Sequence, residues 1–134
     1  MVSSADEPID VIGLDQLLVG APPVAVAVVA PALRDAWNTT TNVTLGGAWL
    51  RRTAGDKVEA VSAVCPHLGC AIGWNDAKAV YLCPCHDSTF QIGGEKIAGP
   101  SERGLDPLPV IVEGGRIKVT WVRYKLGQSR REPA

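Results

Sequence analysis

All four cysteines and both histidines of this 134-residue chain lie in two short segments. The first box, residues 65–70, reads Cys-Pro-His-Leu-Gly-Cys, and the second box, residues 83–86, reads Cys-Pro-Cys-His. Each box offers one cysteine and one histidine as a pair and has one cysteine left over. Two thiolates and two imidazoles can therefore converge from two loops, which requires a fold that places these loops side by side. The six residues are Cys65, His67, Cys70, Cys83, Cys85 and His86.

Two kinds of metal site are compatible with these ligands. Two thiolates and two imidazoles can bind zinc tetrahedrally, but zinc ribbons and fingers usually place two cysteines together in one loop, whereas each box here mixes sulfur with nitrogen. In a Rieske [2Fe-2S] centre, two histidines replace two of the four cysteines on one iron. The pattern favours this second site, with Cys65 and Cys83 on the inner iron and His67 and His86 on the outer iron.

The two remaining cysteines lie just outside these ligands and are placed to bridge the two loops. Cys70 follows His67 by three residues, and Cys85 stands between Cys83 and His86. A scaffold with two disulfides is an alternative, because an even number of cysteines is typical of such scaffolds. It is disfavoured because the chain is long enough to form its own core and its cysteines cluster in one place.

The boxes closely resemble those of the Rieske subunits of cytochrome bc1 and b6f complexes. That family carries Cys-Thr-His-Leu-Gly-Cys, then Cys-Pro-Cys-His-Gly-Ser-x-Tyr, and later a Gly-Pro loop. Here the corresponding segments are residues 65–70, residues 83–90 and Gly99-Pro100, and the likeness extends over about residues 58–121. Three positions depart from the pattern without removing a ligand: Pro66 replaces threonine, Asp87 replaces glycine, and Phe90 replaces tyrosine.

The resemblance also implies how neighbouring residues affect the cluster. Ser88 is expected to donate a hydrogen bond to a bridging sulfide, which favours the reduced state. Phe90 cannot make the donation to sulfur that the family's tyrosine makes, and an ionised Asp87 would act in the same direction. We therefore expect a potential below that of a Ser/Tyr protein but in the positive part of the Rieske range of roughly −150 to +300 mV. Leu68 is a candidate to shield the cluster, and the loop of Gly99 and Pro100 to cover it.

The function that the resemblance implies is electron transfer from quinol to a c-type cytochrome, in a complex with cytochrome b. His86, with His67, would accept the quinol proton, because an imidazole on ferric iron loses its remaining proton more readily. The isolated domain would be an electron carrier, and the enzyme would be the quinol-cytochrome c oxidoreductase complex. The alternatives are the Rieske small subunit of an arsenite-oxidase-like enzyme, a Rieske ferredoxin that supplies an oxygenase, and a zinc-stabilised binding module.

Composition restricts the partners and the compartment. The formal net charge is −1 and the pI about 6.1, which gives no support for binding nucleic acid. The apolar stretch 21–31 contains prolines and is too short to cross a bilayer, so it is predicted to be a buried strand. Residues 1–10 lack the features of a signal peptide, and we expect membrane association only through a missing N-terminal anchor or partner subunits. A disulfide favours the periplasmic, positive side of an energy-transducing membrane.

The hydrophobic pattern predicts an all-β, antiparallel sandwich or barrel. Strands are predicted at 24–30, 43–52, 58–64 and 80–82, and a hairpin at 110–122 turns at Gly114-Gly115. Further turn signals lie at Gly46-Gly47, Gly55-Asp56 and Asn75-Asp76. Helical turns are predicted only at 14–19 and 32–37. We expect one domain over 1–134, with a cluster-binding subdomain at about 62–100 and a flexible, solvated tail at 123–134.

Overall fold

The computed structural model describes residues 7–34, 39–85 and 87–133. These residues form ten strands, and the helical structure among them is one short 3-10 helix, Leu14–Gln16. The strands are β1 (Ile9–Gly13), β2 (Val24–Arg34), β3 (Thr39–Ala54), β4 (Lys57–Ser62), β5 (Gly73–Asn75), β6 (Val80–Leu82), β7 (Thr89–Phe90), β8 (Lys96–Ala98), β9 (Val110–Glu113) and β10 (Arg116–Val119). They make three sheets, with orders β1-β10-β9, β2-β3-β4 and β5-β6-β7-β8.

The chain divides into two compact units, and the first comprises Met1–Ala60 and Leu108–Val122. The predicted hairpin is present here as β9 and β10, which pair with Arg116 opposite Glu113 across the turn at Gly114-Gly115. Ile117 and Val119 are fully buried, whereas Arg116 is exposed, so the strand has the period of two that its sequence predicted. On the other edge of β10, β1 adds a third strand that the sequence pattern did not predict.

The turn signal at Gly46-Gly47 proves wrong, because both glycines lie within β3 and pair with Val28 and Ala27 of β2. The reason is the packing of Trp121. A Cβ on Gly46 would stand 2.2 Å from the Trp121 ring, so the residue at this position must lack a side chain. Gly46 thus allows the close approach of an aromatic ring within a continuous strand.

The second unit comprises Val61–Pro107 and Arg123–Ala134, and the predicted cluster-binding subdomain lies within it. Its four-stranded sheet pairs Tyr81 of β6 with Phe90 of β7, and both side chains are buried. Trp74 of β5 contacts Tyr81 edge-on, with 4.9 Å between the ring centroids. The first box precedes β5 and the second box connects β6 to β7, so both boxes are loops of this unit.

The all-β, antiparallel fold class is confirmed, as is the predicted strand at 80–82. Of the two predicted helical turns, the first corresponds to Leu14–Gln16. The second is wrong where it can be compared, because residues 32–34 continue β2 by pairing with β3, and residues 35–37 lie outside the described ranges. Among the described residues, no helix combines the length and the apolar character that crossing a membrane requires.

Candidate metal centre

The first box is a tight loop closed by its own backbone. The N–H of Cys65 donates to Cys70 O at 2.7 Å, and the N–H of Gly69 donates back to Cys65 O at 2.9 Å. This closure buries the Cys65 side chain and leaves His67 half-buried. Leu68, at the tip of the loop, is 61% exposed. The loop therefore directs a thiol inward and presents its histidine and leucine nearer the surface.

The second box is positioned by the start of β7. The N–H of Cys83 donates to Ser88 O at 2.8 Å, which holds these two residues together. Asp87 has φ +58°, a left-handed conformation that favours glycine and that aspartate tolerates better than most residues. Aspartate can therefore replace the family's glycine at this position and keep a left-handed backbone. His86, the predicted ligand and quinol contact, lies outside the described residues.

The four cysteines divide as the sequence predicted. Cys70 and Cys85 form a disulfide with a Cα–Cα distance of 6.5 Å, which joins the two boxes. Cys65 and Cys83 are free and buried. The sulfur atoms of Cys70, Cys83 and Cys85 lie within 4.8 Å of one another, but the disulfide occupies two of them. Of these three, only Cys83 can therefore bind a metal as a thiolate, and the disulfide lies directly beside it.

The surroundings of Cys65 suit a ligand thiolate. Burial raises the pKa of the Cys65 thiol, and the neighbouring Cys83 raises that pKa further, since two thiolates would repel each other. Hydrogen bonding from the backbone of His67, and to a smaller extent from that of Leu68, lowers this pKa. A bound metal ion removes the penalty because it supplies the positive charge that two adjacent thiolates need. Two buried, adjacent thiols with backbone hydrogen bonding to sulfur thus fit an iron–sulfur cluster.

A further loop, which contains Gly99 and Ser101, packs against Ser88, two residues after the second box. Ser88 is fully buried, and its Oγ accepts a hydrogen bond from the N–H of Ser101 at 3.1 Å. A Cβ on Gly99 would lie 2.4 Å from Ser88 Cα, so the backbone at Gly99 approaches Ser88 as closely as only glycine permits. Pro100 is exposed. The structure thus brings the predicted residues Ser88 and Gly99 together.

Phe90 is the predicted tuning residue on β7. It is fully buried and pairs with Tyr81 in the register of the sheet. Its ring therefore belongs to the core of the second unit, two residues beyond Ser88 along the chain.

The sequence reasoning missed a buried ion pair next to this loop. Arg103 donates to both carboxylate oxygens of Asp106, with Nε–Oδ1 2.8 Å and Nη2–Oδ2 2.9 Å, and both side chains are buried. The hydrogen bond with Asp106 raises the pKa of Arg103 above its usual value. Arg131 also donates to Asp106 Oδ1, at 2.9 Å. An Arg-x-x-Asp spacing occurs on many exposed surfaces, so no sequence signal marks this pair as buried.

Comparison with known proteins agrees with this geometry. Residues 26–111, more than half of the chain, match the family described as Rieske [2Fe-2S] domain. The cytochrome b6-f complex iron-sulfur subunit of Chlorobaculum thiosulfatiphilum is 42% identical over 66 residues, which cover 49% of this chain and 36% of that protein. The aligned part thus spans about a third of this relative.

Two solved structures share the fold at 25% sequence identity. The cyanobacterial plasma membrane Rieske protein PetC3 from Synechocystis PCC 6803 has a TM-score of 0.50, with 72% of this chain and 99% of that chain covered. The ferredoxin of carbazole 1,9a-dioxygenase from Nocardioides aromaticivorans IC177 has a TM-score of 0.51, with 84% and 96% covered.

Proposed function

Because this chain belongs to the Rieske [2Fe-2S] domain family, we propose that it is the electron-transfer domain of a quinol-oxidising cytochrome bc complex. The cofactor of the family is one [2Fe-2S] cluster, which takes up and returns one electron when bound. We assign Cys65 and Cys83 as its sulfur ligands and His67 and His86 as its nitrogen ligands. The observation that carries the assignment is the pair of buried free thiols of Cys65 and Cys83, one from each disulfide-linked box.

The two boxes make different contributions to the proposed site. In the first box, hydrogen bonding from the backbones of His67 and Leu68 lowers the pKa of Cys65, and such bonds favour the more negative, reduced state. The second box is anchored by the bond from Cys83 N–H to Ser88 O, which places Ser88 directly after the ligands. The disulfide holds the boxes together, so that each ligand pair keeps its position when the charge changes.

The histidines supply the proton chemistry of the proposed function. Each imidazole would hold the cluster through one nitrogen and could hold or release a proton at the other nitrogen. His67 is half-buried beside the exposed Leu68, so its loop borders the solvent. We assign His86 as the quinol contact and both histidines as proton acceptors. Coupling of one electron to one proton then follows, because the added electron makes the imidazole more basic.

The partners and the compartment belong to this proposal. Cytochrome b would contribute the quinol site, and a c-type cytochrome would accept the electron. This is supported by the named relative, a subunit of a cytochrome b6-f complex. The inter-loop disulfide favours an oxidising compartment, and hence the periplasmic, positive side of an energy-transducing membrane.

A Rieske ferredoxin that supplies an oxygenase is the second candidate, because one structural neighbour is the ferredoxin of a dioxygenase. The disulfide between Cys70 and Cys85 disfavours it, since the ferredoxins of that class generally have the four ligands without a disulfide pair. A zinc-stabilised module is the third candidate, and it differs from both in carrying no electron.

The deciding experiment combines metal content with the pH dependence of the midpoint potential. Anaerobically purified protein should contain about two iron and two acid-labile sulfide per chain, the content of one cluster of this type. Stoichiometric zinc without iron would overturn the cluster assignment. The potential should be constant at low pH and fall at higher pH, where oxidation releases an imidazole proton.

The matched variants separate ligands from the disulfide. Cys83→Ser should abolish the cluster, whereas the double variant Cys70→Ser/Cys85→Ser should still bind it, because it retains all four proposed ligands. A potential that stays constant from about pH 6 to 11 with the cluster intact would exclude proton-coupled quinol oxidation, because no imidazole would then release its proton on oxidation. It would leave simple electron relay, as expected for a ferredoxin.

A further inference from the structure

The C-terminal segment, residues 124–128, lies against the first box. The N–H of Gly127 donates to Pro66 O at 2.9 Å. Leu126 packs against Gly69, because its Cδ1 lies 3.2 Å from the point that a Cβ on Gly69 would occupy. The segment thus contacts the residue before His67 and a residue shortly after it, and Leu126 remains 44% exposed.

Arg103 holds this segment in place through two of its backbone carbonyls. Nη1 donates to Gln128 O and Nη2 donates to Lys125 O, both at 2.8 Å. These carbonyls flank Gly127 on its two sides. Because Asp106 fixes the guanidinium by a bidentate ion pair, the side chain is a rigid, buried fork that sets where Gly127 lies.

The bond from Gly127 acts on a peptide group whose other end faces a proposed ligand. The carbonyl of Pro66 and the N–H of His67 belong to one planar peptide unit. The carbonyl accepts from Gly127. Hydrogen bonding from the His67 backbone lowers the pKa of the Cys65 thiol. Fixing one end of a rigid plane fixes the other, and a hydrogen bond to the carbonyl also makes the N–H a stronger donor.

We propose that the C-terminal segment is a positioning element of the metal centre, in which Arg103 and Gly127 orient the Pro66-His67 peptide so that its N–H donates to the Cys65 sulfur. The proposal rests on the proposed function in one respect, the role of Cys65 as a ligand. It adds a determinant of the potential that is remote from both boxes in the sequence.

Removal of the segment should lower the midpoint potential. A weaker N–H bond to a ligand sulfur stabilises the reduced state less. We expect the equilibrium constant for reduction to fall about threefold to tenfold, and a tenfold change corresponds to about 59 mV for one electron.

Two truncated chains provide the first test. A stop codon after Tyr124 removes Gly127 and both carbonyls that Arg103 binds. A stop codon after Ser129 keeps them, but also removes Arg131 and the end of the chain, so it controls for the loss of the tail and of the Arg131–Asp106 bond. The first variant should show the lowered potential and the second the wild-type potential. Equal potentials in the two variants with intact clusters would overturn the proposal.

A pair of point variants tests the role of Gly127. Gly127 has φ +71°, a conformation that asparagine tolerates, so Gly127→Asn keeps the N–H donor with little strain. Gly127→Pro has no N–H and cannot adopt this positive φ, so it removes the bond together with the local backbone conformation and should lower the potential, whereas Gly127→Asn should leave it near the wild-type value. The same potential in both variants would contradict the assigned role.

Hydrogen exchange of the wild-type protein, read by mass spectrometry, gives an answer even where a variant loses its cluster. The amides of Lys125 and Gly127, which donate to Glu132 O and Pro66 O, should exchange more slowly than those of an unstructured peptide. Exchange at the unstructured rate would overturn the proposal. This readout needs no metal, so it also separates failure of this inference from failure of the cluster assignment, which iron and sulfide analysis decides.

Discussion

Replacement of Ser88 by alanine should change both the stability of the protein and the potential of its cluster. Ser88 is fully buried, and its Oγ accepts the hydrogen bond from Ser101 N–H at 3.1 Å. In that bond the serine is the acceptor, so its own hydrogen stays available for a second partner. In the proposed site this partner is a cluster sulfide, which makes Ser88 an acceptor toward the covering loop and a donor toward the cluster.

The size of each effect follows from the bond that is lost. The buried Ser101 amide loses its acceptor, which costs about 1–3 kcal/mol of stability. The lost donation to sulfide favours the oxidised state by about 1 kcal/mol, the net value of a typical hydrogen bond. Since about 1.4 kcal/mol corresponds to a tenfold change and 59 mV for one electron, Ser88→Ala should lower the potential by about 40 mV.

The assay is voltammetry of the holoprotein together with thermal unfolding, and Ser101→Ala is the matched control. Ser101 is equally buried, but its Oγ donates to Arg103 O at 2.8 Å, within its own loop. Its loss should reduce stability and leave the potential unchanged. If Ser88→Ala leaves the potential unchanged in intact holoprotein, or if both variants shift it equally, the serine does not donate to the cluster.

Three further perturbations test other parts of the site and the fold. Phe90→Tyr should raise the potential by about tens of millivolts if the new hydroxyl reaches a ligand sulfur, and an unchanged potential would show that this buried ring points elsewhere. Cys70→Ser/Cys85→Ser should lower the free energy of unfolding by about 3 kcal/mol, the value expected for their separation of 15 residues, and denaturant titration against the wild type would measure it. On the first unit, Asp10→Asn should lower Tm slightly at about pH 7, because the hydrogen bond from Arg116 lowers the pKa of Asp10. A group whose pKa is lowered in the folded state stabilises the protein above its unfolded pKa of about 3.9, and this stabilisation is lost as the pH falls through the folded pKa. The Tm difference between Asp10→Asn and the wild type should therefore vanish in acid. A Tm difference that persisted in acid would count against the ion pair.

Local sequence patterns predicted the structure correctly where neighbouring residues determine it. Alternation of apolar and polar residues predicted β10, and the glycine pair at 114–115 predicted its hairpin turn. The glycine pair at Gly46-Gly47 wrongly predicted a turn. Position 46 requires glycine because the ring of Trp121, which is distant in the sequence, packs against it. The short strands β5, β7 and β8 were also missed, because segments of two or three residues seldom display a period, although the equally short β6 was predicted.

The amino-acid sequence alone predicted the chemistry of the metal centre. Two boxes that mix sulfur with nitrogen predicted an iron–sulfur cluster, and the leftover cysteines predicted the disulfide between Cys70 and Cys85, which the structure confirms. These predictions succeed because ligand type and spacing within a loop are local properties, and a metal centre tolerates few alternatives.

The surroundings of that centre, in contrast, became visible only in the folded chain. Folding placed Gly99 against Ser88, buried the Arg103–Asp106 pair, and brought Gly127 to the carbonyl of Pro66. Gly127 and Pro66 are far apart along the chain, and neither has a side chain that could indicate a hydrogen bond between them. Backbone groups are the same in every non-proline residue, so no sequence pattern can reveal which distant N–H and carbonyl will meet, and their pairing emerges only when the chain has packed.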